Sequence, residues 1–335
     1  MLGAMTTQPP ENDDSTTHPE PHSRGATALA VAATVLAGVL VATQHRINGE
    51  LGVRLGDGFT AALISFGSGW LILMAILAFS PRGREGIRRL GTEVRAGRLA
   101  PWLLLGGVGG GLLVLSQGLV AGILGVAIFT IATVTGQTIS GMLADATGFA
   151  GVRRTAVTPQ RVIGALLTLA AVVVAVAPRL GTDVPLAAII LPLVAGLAIG
   201  LQQAVNGRVR TESGSALAAT TLNFAVGTVA LAVIAVVHLA VAGLPETPPE
   251  NPWLYLGGAV GAIFIAIQVV TVARIGVLLL GLSLVAGQLA GALLYDLVAP
   301  IGVPTTATTA IAVVLTLLGV TIASLRRGST RPRSA

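Results

Sequence analysis

The feature that most constrains this chain is a succession of apolar segments, each long enough to cross a membrane. We place ten of them at about 26–45, 59–80, 101–120, 122–145, 161–178, 186–205, 216–241, 253–272, 275–296 and 305–325. An apolar helix of about 20 residues spans the hydrocarbon of a bilayer. Because backbone polar groups inside hydrocarbon must pair with one another, such segments are expected to be helical. The sequence therefore predicts an all-α polytopic membrane protein with ten transmembrane helices.

The composition supports this class and excludes several others. Of the 335 residues, 53% are hydrophobic and only 10% are charged, whereas about a quarter of the residues in soluble domains are charged. So few charges could not cover the surface of a soluble enzyme. The chain has no cysteine, which excludes a disulfide scaffold and a cysteine-ligated metal site. The spans contain no paired acids and no histidine cluster, so we expect no enzyme activity, no cofactor and no metal.

Arginine supplies all 20 strong bases, and it is distributed unevenly between the connecting segments. With ten spans both chain ends lie on one side of the membrane, and 17 of the arginines fall on that side. The positive-inside rule therefore places both ends in the cytoplasm. The net charge is +6, but a nucleic-acid binder gathers its arginines into one patch of a soluble fold. We expect no nucleic-acid partner.

The chain repeats itself at two constant offsets. Residues 37–69 align with 195–227, shifted by 158 positions, and residues 101–152 align with 252–303, shifted by 151 positions. The matches include scarce residue types, such as Gln44/Gln202, Asn48/Asn206, Phe66/Phe224, Gln137/Gln288 and Asp145/Asp296. A fixed period of this kind indicates duplicated structural units. We call two residues that are matched in this way repeat mates.

The duplication divides the chain into two repeats between polar tails. Residues 25–180 and 181–325 each hold five spans, residues 1–24 form a tail expected to be disordered, and residues 326–335 form a basic tail. Five is an odd number, so the second repeat enters the membrane from the opposite side. Inverted repeats of this kind are a recurring design of secondary transporters. They also occur in channels, so the inference is to transport in general.

Polar side chains inside the spans are the candidate site, because each is costly in hydrocarbon unless it has a partner or faces a wet cavity. We assign the following residues to the substrate pathway: Gln44, Asn48, Gln117, Gln137, Gln202, Asn206, Asn223, Gln268 and Gln288. Asn48 and Asn206 each precede a glycine, so capping of a helix end is the preferred alternative for them. For the glutamines, a bond that only joins two helices is the alternative.

Small residues and two acids complete the pattern. Gly136 with Ser140, and Gly287 with Gly291, have the spacing that lets two helices approach closely. Asp145 and Asp296 are the only acids that adjoin span interiors. Each could form an ion or proton site, or it could pair with an arginine or lie in water. Because no acid lies deep in a span, strong proton coupling through a buried carboxylate is not expected.

The stretches QHRING and QQAVNG, together with GQTISGMLAD and GQLAGALLYD, resemble the drug/metabolite transporter superfamily. The chain looks most similar to its YdcZ-type (EamA-like) bacterial inner-membrane proteins over about residues 26–325. The resemblance implies a ten-helix inverted-repeat fold and export or exchange of small metabolites across the inner membrane. Small multidrug exporters of the same superfamily use a glutamate within their first helix. Glu50 falls beyond the first span here, so that mechanism is not implied.

Together these features predict a secondary transporter, an exporter, that moves a small neutral or weakly charged metabolite by alternating access. A lipid or lipid-linked sugar translocase of the same architecture is the alternative, in which Arg274 or Arg46 could bind phosphate. The expected partners are the small-molecule solute and membrane lipids. A monomer and a homodimer are both compatible with the sequence.

Overall fold

The computed structural model describes residues 24–325, apart from 152, 153, 155, 180–184, 246 and 301–306. The two predicted tails lie outside this part, except for Arg24. Every regular element in the described part is helical. The helices are α1 Arg24–Leu55, α2 Gly58–Phe79, α3 Pro81–Arg95, α4 Gly107–Ser116, α5 Gly122–Leu124, α6 Val126–Thr147, α7 Pro159–Val176, α8 Leu186–Ser213, α9 Ala216–Ala242, α10 Gly257–Val298 and α11 Ala307–Ser324.

Nine helical segments in the described residues are long and apolar enough to cross a membrane. One of these is Pro101–Leu124, in which α4 and α5 are joined through a π turn at Gln117–Ala121. The segment predicted at 253–272 is present as a shorter apolar helix, Gly257–Val272, preceded by a 3-10 turn at Pro252–Tyr255. The all-α polytopic class is therefore confirmed, with one pass shorter than the others.

Asn48 and Asn206 do not cap helix ends, so that alternative is wrong. Helix α1 continues through Asn48 to Leu55, and α8 continues through Asn206 to Ser213. Both helices stop at a different pair of repeat mates, Gly56 with φ 60° and Gly214 with φ 64°. Only glycine adopts this left-handed backbone without strain, and it is the usual residue just beyond a helix end. The termination signal thus lies eight residues after each asparagine.

The connection at 81–100, between the second and third predicted spans, contains the amphipathic helix α3. Ser80 caps this helix by accepting a hydrogen bond from the backbone N–H of Gly83 at 3.1 Å. The buried side of α3 faces the junction of α8 and α9, because a Cβ on Gly86 would touch Ser213 and Ala218. Its arginines are exposed on the other side. We call this side of the bundle, where α1 begins and α11 ends, the terminal face, and the opposite side the distal face.

Two close helix crossings join the repeats to each other. Helix α1 crosses α10 where Gly38 meets Gly287, and α8 crosses α6 where Gly196 meets Gly136. A Cβ at any of these four positions would overlap backbone atoms of the partner helix. The two crossings are repeat mates, since 38 matches 196 and 136 matches 287. The prediction of close approach at Gly136 and Gly287 is confirmed, and each crossing uses one helix from each repeat.

The axis that relates the repeats passes between two aromatic rings. Phe66 on α2 and Phe224 on α9 are repeat mates, and they stack with ring centroids 4.4 Å apart and an angle of 11° between the ring planes. Repeat mates can touch each other only where the symmetry axis runs. Gly227 lies against the ring of Phe66 and its mate Gly69 lies against the ring of Phe224. The contact therefore marks the pseudo-two-fold axis.

The crossings should be intolerant of even one added methyl group. Gly136→Ala places a Cβ against the backbone of α8, and we expect a loss of about 1–3 kcal/mol of stability from overpacking. Gly141→Ala on the same helix is the matched control, because its Cβ would meet nothing within 4 Å. Thermal melting of the two purified variants in detergent measures the difference. Equal melting temperatures would contradict the assigned crossing.

Candidate functional site

A cavity of about 270 Å³ lies beside the Phe66–Phe224 stack at the axis of the bundle. Seven of the nine side chains that the sequence assigned to the substrate pathway line it: Gln44, Gln137, Gln202, Asn206, Asn223, Gln268 and Gln288. They come from α1, α6, α8, α9 and α10. Helices from both repeats therefore contribute amide side chains to the same cavity.

Local helix geometry explains why these residues meet. Gln202 and Asn206 are four positions apart on α8, so they share one face of that helix. Gln137 and Gln288 each follow a crossing glycine, Gly136 or Gly287, so they emerge directly beside the two closest helix contacts. The crossings thus fix the position of one glutamine from each repeat at the cavity wall.

The cavity offers hydrogen bonds without charge. Among the described residues that line it none is ionisable. Gln203 adds an eighth amide, and phenylalanine, leucine, valine and isoleucine side chains form the rest of the wall together with Gly110 and Thr220. Each primary amide provides two donors and one acceptor oxygen. The acceptor oxygens Oε1 of Gln202 and Oδ1 of Asn223 are buried and have no hydrogen-bond partner in the described part of the chain.

The two remaining predicted residues, Asn48 and Gln117, lie outside this cavity. Both are fully buried, and the Nδ2 of Asn48 donates a hydrogen bond of 2.5 Å to the Oε1 of Gln117. Nearby, the Nε2 of Gln44 donates to the carbonyl oxygen of Gly257 at 2.8 Å. These bonds tie α1 to the π turn after α4 and to the start of α10. The structure therefore brings Asn48 and Gln117 to each other rather than to the cavity.

The cavity continues toward the terminal face. An adjoining space of about 350 Å³ shares Asn206 and Gln268 with it and leads past Gln203 to Arg210, near the end of α8. On the distal side the repeat mates of this lining are packed away from solvent. Ala62, the mate of Thr220, is fully buried, as are Asn48 and Gln117. The route is thus open to one face and closed to the other.

The two acids have different partners. Asp296 caps helix α6, because its carboxylate accepts hydrogen bonds from the backbone N–H groups of Val126 at 2.9 Å and Ala127 at 2.8 Å. Asp145 forms an ion pair with Arg161, with an N–O distance of 2.9 Å. Pairing with an arginine was one alternative for Asp145, whereas capping by Asp296 was not foreseen. Among the described residues there is no group of three or more potential metal ligands.

Three residues near this route were not assigned from the sequence: Gln203, which lines the cavity, His45 and Arg210. His45 is buried, with its Nδ1 3.1 Å from the Oγ1 of Thr130 and its ring edge-on to Phe129. Arg210 lies at the mouth of the cavity on the terminal face. A signal for His45 was available, because its repeat mate Gln203 follows Gln202. No such signal was present for Arg210, because its position is typical of an arginine at the membrane interface.

Two inverted five-span repeats that cross through glycines around one amide-lined cavity define a polytopic membrane transporter. A family model described as "Putative inner membrane exporter, YdcZ" matches residues 29–174 and again residues 187–322. The chain belongs to this family of inner-membrane exporters, which confirms the resemblance seen in the sequence. Each match falls within one of the two repeats. A search of curated proteins found no match.

The Asn48–Gln117 bond should contribute to stability, whereas the mate of Asn48 should not. In Asn48→Ala the buried oxygen of Gln117 loses its donor, and we expect a loss of about 1–3 kcal/mol. Asn206→Ala is the matched control, because Asn206 lines the cavity and can be replaced there by water. Thermal melting in detergent compares the two. A larger loss in Asn206→Ala would contradict the assigned bond.

Proposed function

We propose that the protein is a secondary transporter that exports a small neutral or weakly charged organic metabolite by alternating access. The observation that carries this proposal is a single amide-lined cavity at the pseudo-two-fold axis, open toward one face and closed toward the other. In an inverted-repeat protein, a site on the axis is exposed in turn to both sides when the repeats exchange their arrangements. The family of inner-membrane exporters supports the outward direction.

The solute enters past Arg210 and binds between the repeats. The cavity of about 270 Å³ is slightly smaller than the usual range for ligand pockets, roughly 300–1,000 Å³, which favours a small metabolite. Amide side chains replace the water lost by its polar groups, and the stacked phenylalanines contact its apolar part. A strongly charged solute would find no opposite charge among the described lining residues and would lose its hydration uncompensated.

The contacts of the acids favour structural roles over an ion or proton site. Asp145 is already paired with Arg161, and Asp296 is bonded to two backbone N–H groups. A carboxylate that keeps such partners is not available to coordinate a cation. We therefore propose recognition of the solute through amides alone.

A translocase for lipids or lipid-linked sugars is the second candidate, and one observation favours it. The mouth of the route carries Arg210 beside the apolar side chains of Val269 and Val272, which would suit a phosphate head group attached to an acyl chain. The arginines named from the sequence fit less well. Arg46 is bonded to Glu50 at 2.7 Å, and Arg274 is not part of the described lining of the cavity.

Transport should depend on the glutamines that follow the crossing glycines. The transported solute is first identified by comparing metabolites released from cells with and without overexpression, and its flux is then measured in proteoliposomes. We expect Gln137→Leu and Gln288→Leu each to lower the flux about tenfold or more, since one lost hydrogen bond to a buried group costs on the order of 1.5 kcal/mol. Gln160→Leu, at the start of α7 and outside the cavity, is the control.

Unchanged flux in both cavity variants would overturn the assigned route. Release of a phosphorylated amphiphile instead of a soluble metabolite would favour the translocase, and Arg210→Gln should then reduce flux more than either glutamine variant.

The terminal face should lie in the cytoplasm, because α3 exposes five arginines there: Arg82, Arg84, Arg88, Arg89 and Arg95. Fusion of a periplasm-active reporter within 96–100 should give an inactive protein, and fusion within 243–251 should give an active one. A reporter that is active only in a reducing cytoplasm should give the opposite pattern. Activity of the periplasmic reporter after α3 would reverse the proposed orientation.

A further inference from the structure

Two helices of this protein begin in the same unusual way. Gly125, with φ 84° and ψ 156°, precedes α6, and its repeat mate Gly276, with φ 73° and ψ 167°, breaks α10. Each glycine turns the chain so that the next residues start a new helical segment, and the N–H groups of a first helical turn have no partner within their own helix. The two starts lie on opposite sides of the bundle, at the distal face for α6 and at the terminal face for the second part of α10.

One of these helix starts holds a carboxylate, and the mate of that carboxylate is held elsewhere. Asp296 is bonded to the N–H groups of Val126 and Ala127, directly after Gly125. Its repeat mate Asp145 would reach the helix start after Gly276 by the same symmetry. Asp145 instead pairs with Arg161 beside a space of about 320 Å³ that also borders Gln137. The two mates are therefore in different states in one structure.

The same asymmetry extends through the surrounding contacts. On the side of the docked Asp296, Gly49 lies against Gly122, and Asn48 is bonded to Gln117. On the side of Asp145, a Cβ on Gly207, the mate of Gly49, would meet nothing within 4 Å. Asn206 and Gln268, the mates of the bonded pair, both line the open route. The face with the docked aspartate is thus the closed one.

We propose that Asp296 and Asp145 alternate in holding one side of the transporter closed, and we call them the two latches. Asp296 on the start of α6 holds the distal side closed in the state described. In the mirrored state Asp145 leaves Arg161 and docks on the backbone N–H groups of residues 277 and 278, which closes the terminal side while Asp296 is released. The proposal rests on the alternating access proposed above. It gives both acids a role as positioning residues, in place of the ion or proton site that the sequence allowed.

Electrostatics favours each docked state. The positive end of the helix dipole and two N–H donors stabilise a carboxylate at a helix start. Arg161 competes for Asp145 in the present state, so it should delay the closing of the terminal side. Asp296 is already docked on the backbone N–H groups of Val126 and Ala127. Loss of the Asp296 charge and loss of Arg161 should therefore shift the protein in the same direction.

The absence of cysteine from the chain allows a direct test. Ser65→Cys, a nearly isosteric change at a buried position near Asn48, reports opening of the distal side. Thr220→Cys, on the cavity lining, reports opening of the terminal side. Each is placed in full-length protein in lipid nanodiscs, and its rate of reaction with a polar maleimide is measured. Without other changes the cysteine at 220 should react much faster than the cysteine at 65.

Asp296→Asn should reverse this preference. We expect the rate at 65 to rise about tenfold and the rate at 220 to fall by a similar factor, and Arg161→Gln should change both rates in the same directions. Asp145→Asn should leave the cysteine at 65 slow. Asp57→Asn is the control, because Asp57 caps α2 at the distal face while its mate Ser215 caps α9 at the same time. It should not shift the two rates in opposite directions.

Other results of the labelling experiment would contradict the latch proposal. A rise at both cysteines in Asp296→Asn would indicate a loosened fold, and no change at either would indicate a passive cap. If Asp296→Asn does not fold, Arg161→Gln decides, since it acts through the other latch. The labelling needs no solute, so unchanged flux in the glutamine variants would overturn the solute route without affecting the latches.

Discussion

Close backbone contact at the two glycine crossings determines where the polar side chains of this protein lie. Lipid tails are as apolar as the helices, so helices associate in membranes through tight packing and hydrogen bonds rather than through the hydrophobic effect. Gly38 with Gly287, and Gly196 with Gly136, remove the side chains that would keep the helices apart. The next residue after Gly136 or Gly287 is a glutamine, and it therefore reaches the cavity. In each repeat, the residue that allows the helices to pack closely is therefore followed directly by a residue that lines the cavity.

The sequence was sufficient for the class and the duplication, but not for the helix ends. Hydropathy marks only the part of a helix that lies in hydrocarbon, so it could not show that α1 continues to Leu55 or that α8 continues to Ser213. The helix α3 was missed for the same reason, because a polar amphipathic helix at the membrane surface lacks an apolar run. The shared glycines at 56 and 214 were visible in the repeat alignment, and their backbone conformation is what ends both helices.

The candidate site was predictable to the extent that helix faces decide it. Seven of the predicted amides share a cavity because their positions relative to the crossings are fixed by helical periodicity. Asn48 and Gln117 have the same residue types as their mates Asn206 and Gln268, yet the first pair is bonded and buried whereas the second lines an open route. Two copies of one sequence pattern cannot reveal which copy is closed. We attribute that difference to the conformational state, in line with the alternating access proposed above.

The charged side chains near the membrane are paired within the protein, and this also bears on how a solute is bound. Charges near hydrocarbon are satisfied within the protein: Arg46 by Glu50, Asp145 by Arg161, and Asp296 by the start of α6. A charge that is held in this way can be exchanged between partners at small cost, because one favourable contact replaces another. It cannot serve as the uncompensated charge that binding of an ionic solute would need. In the proposed mechanism, charged groups therefore control which side of the bundle is closed, and the uncharged amides of the cavity recognise the solute.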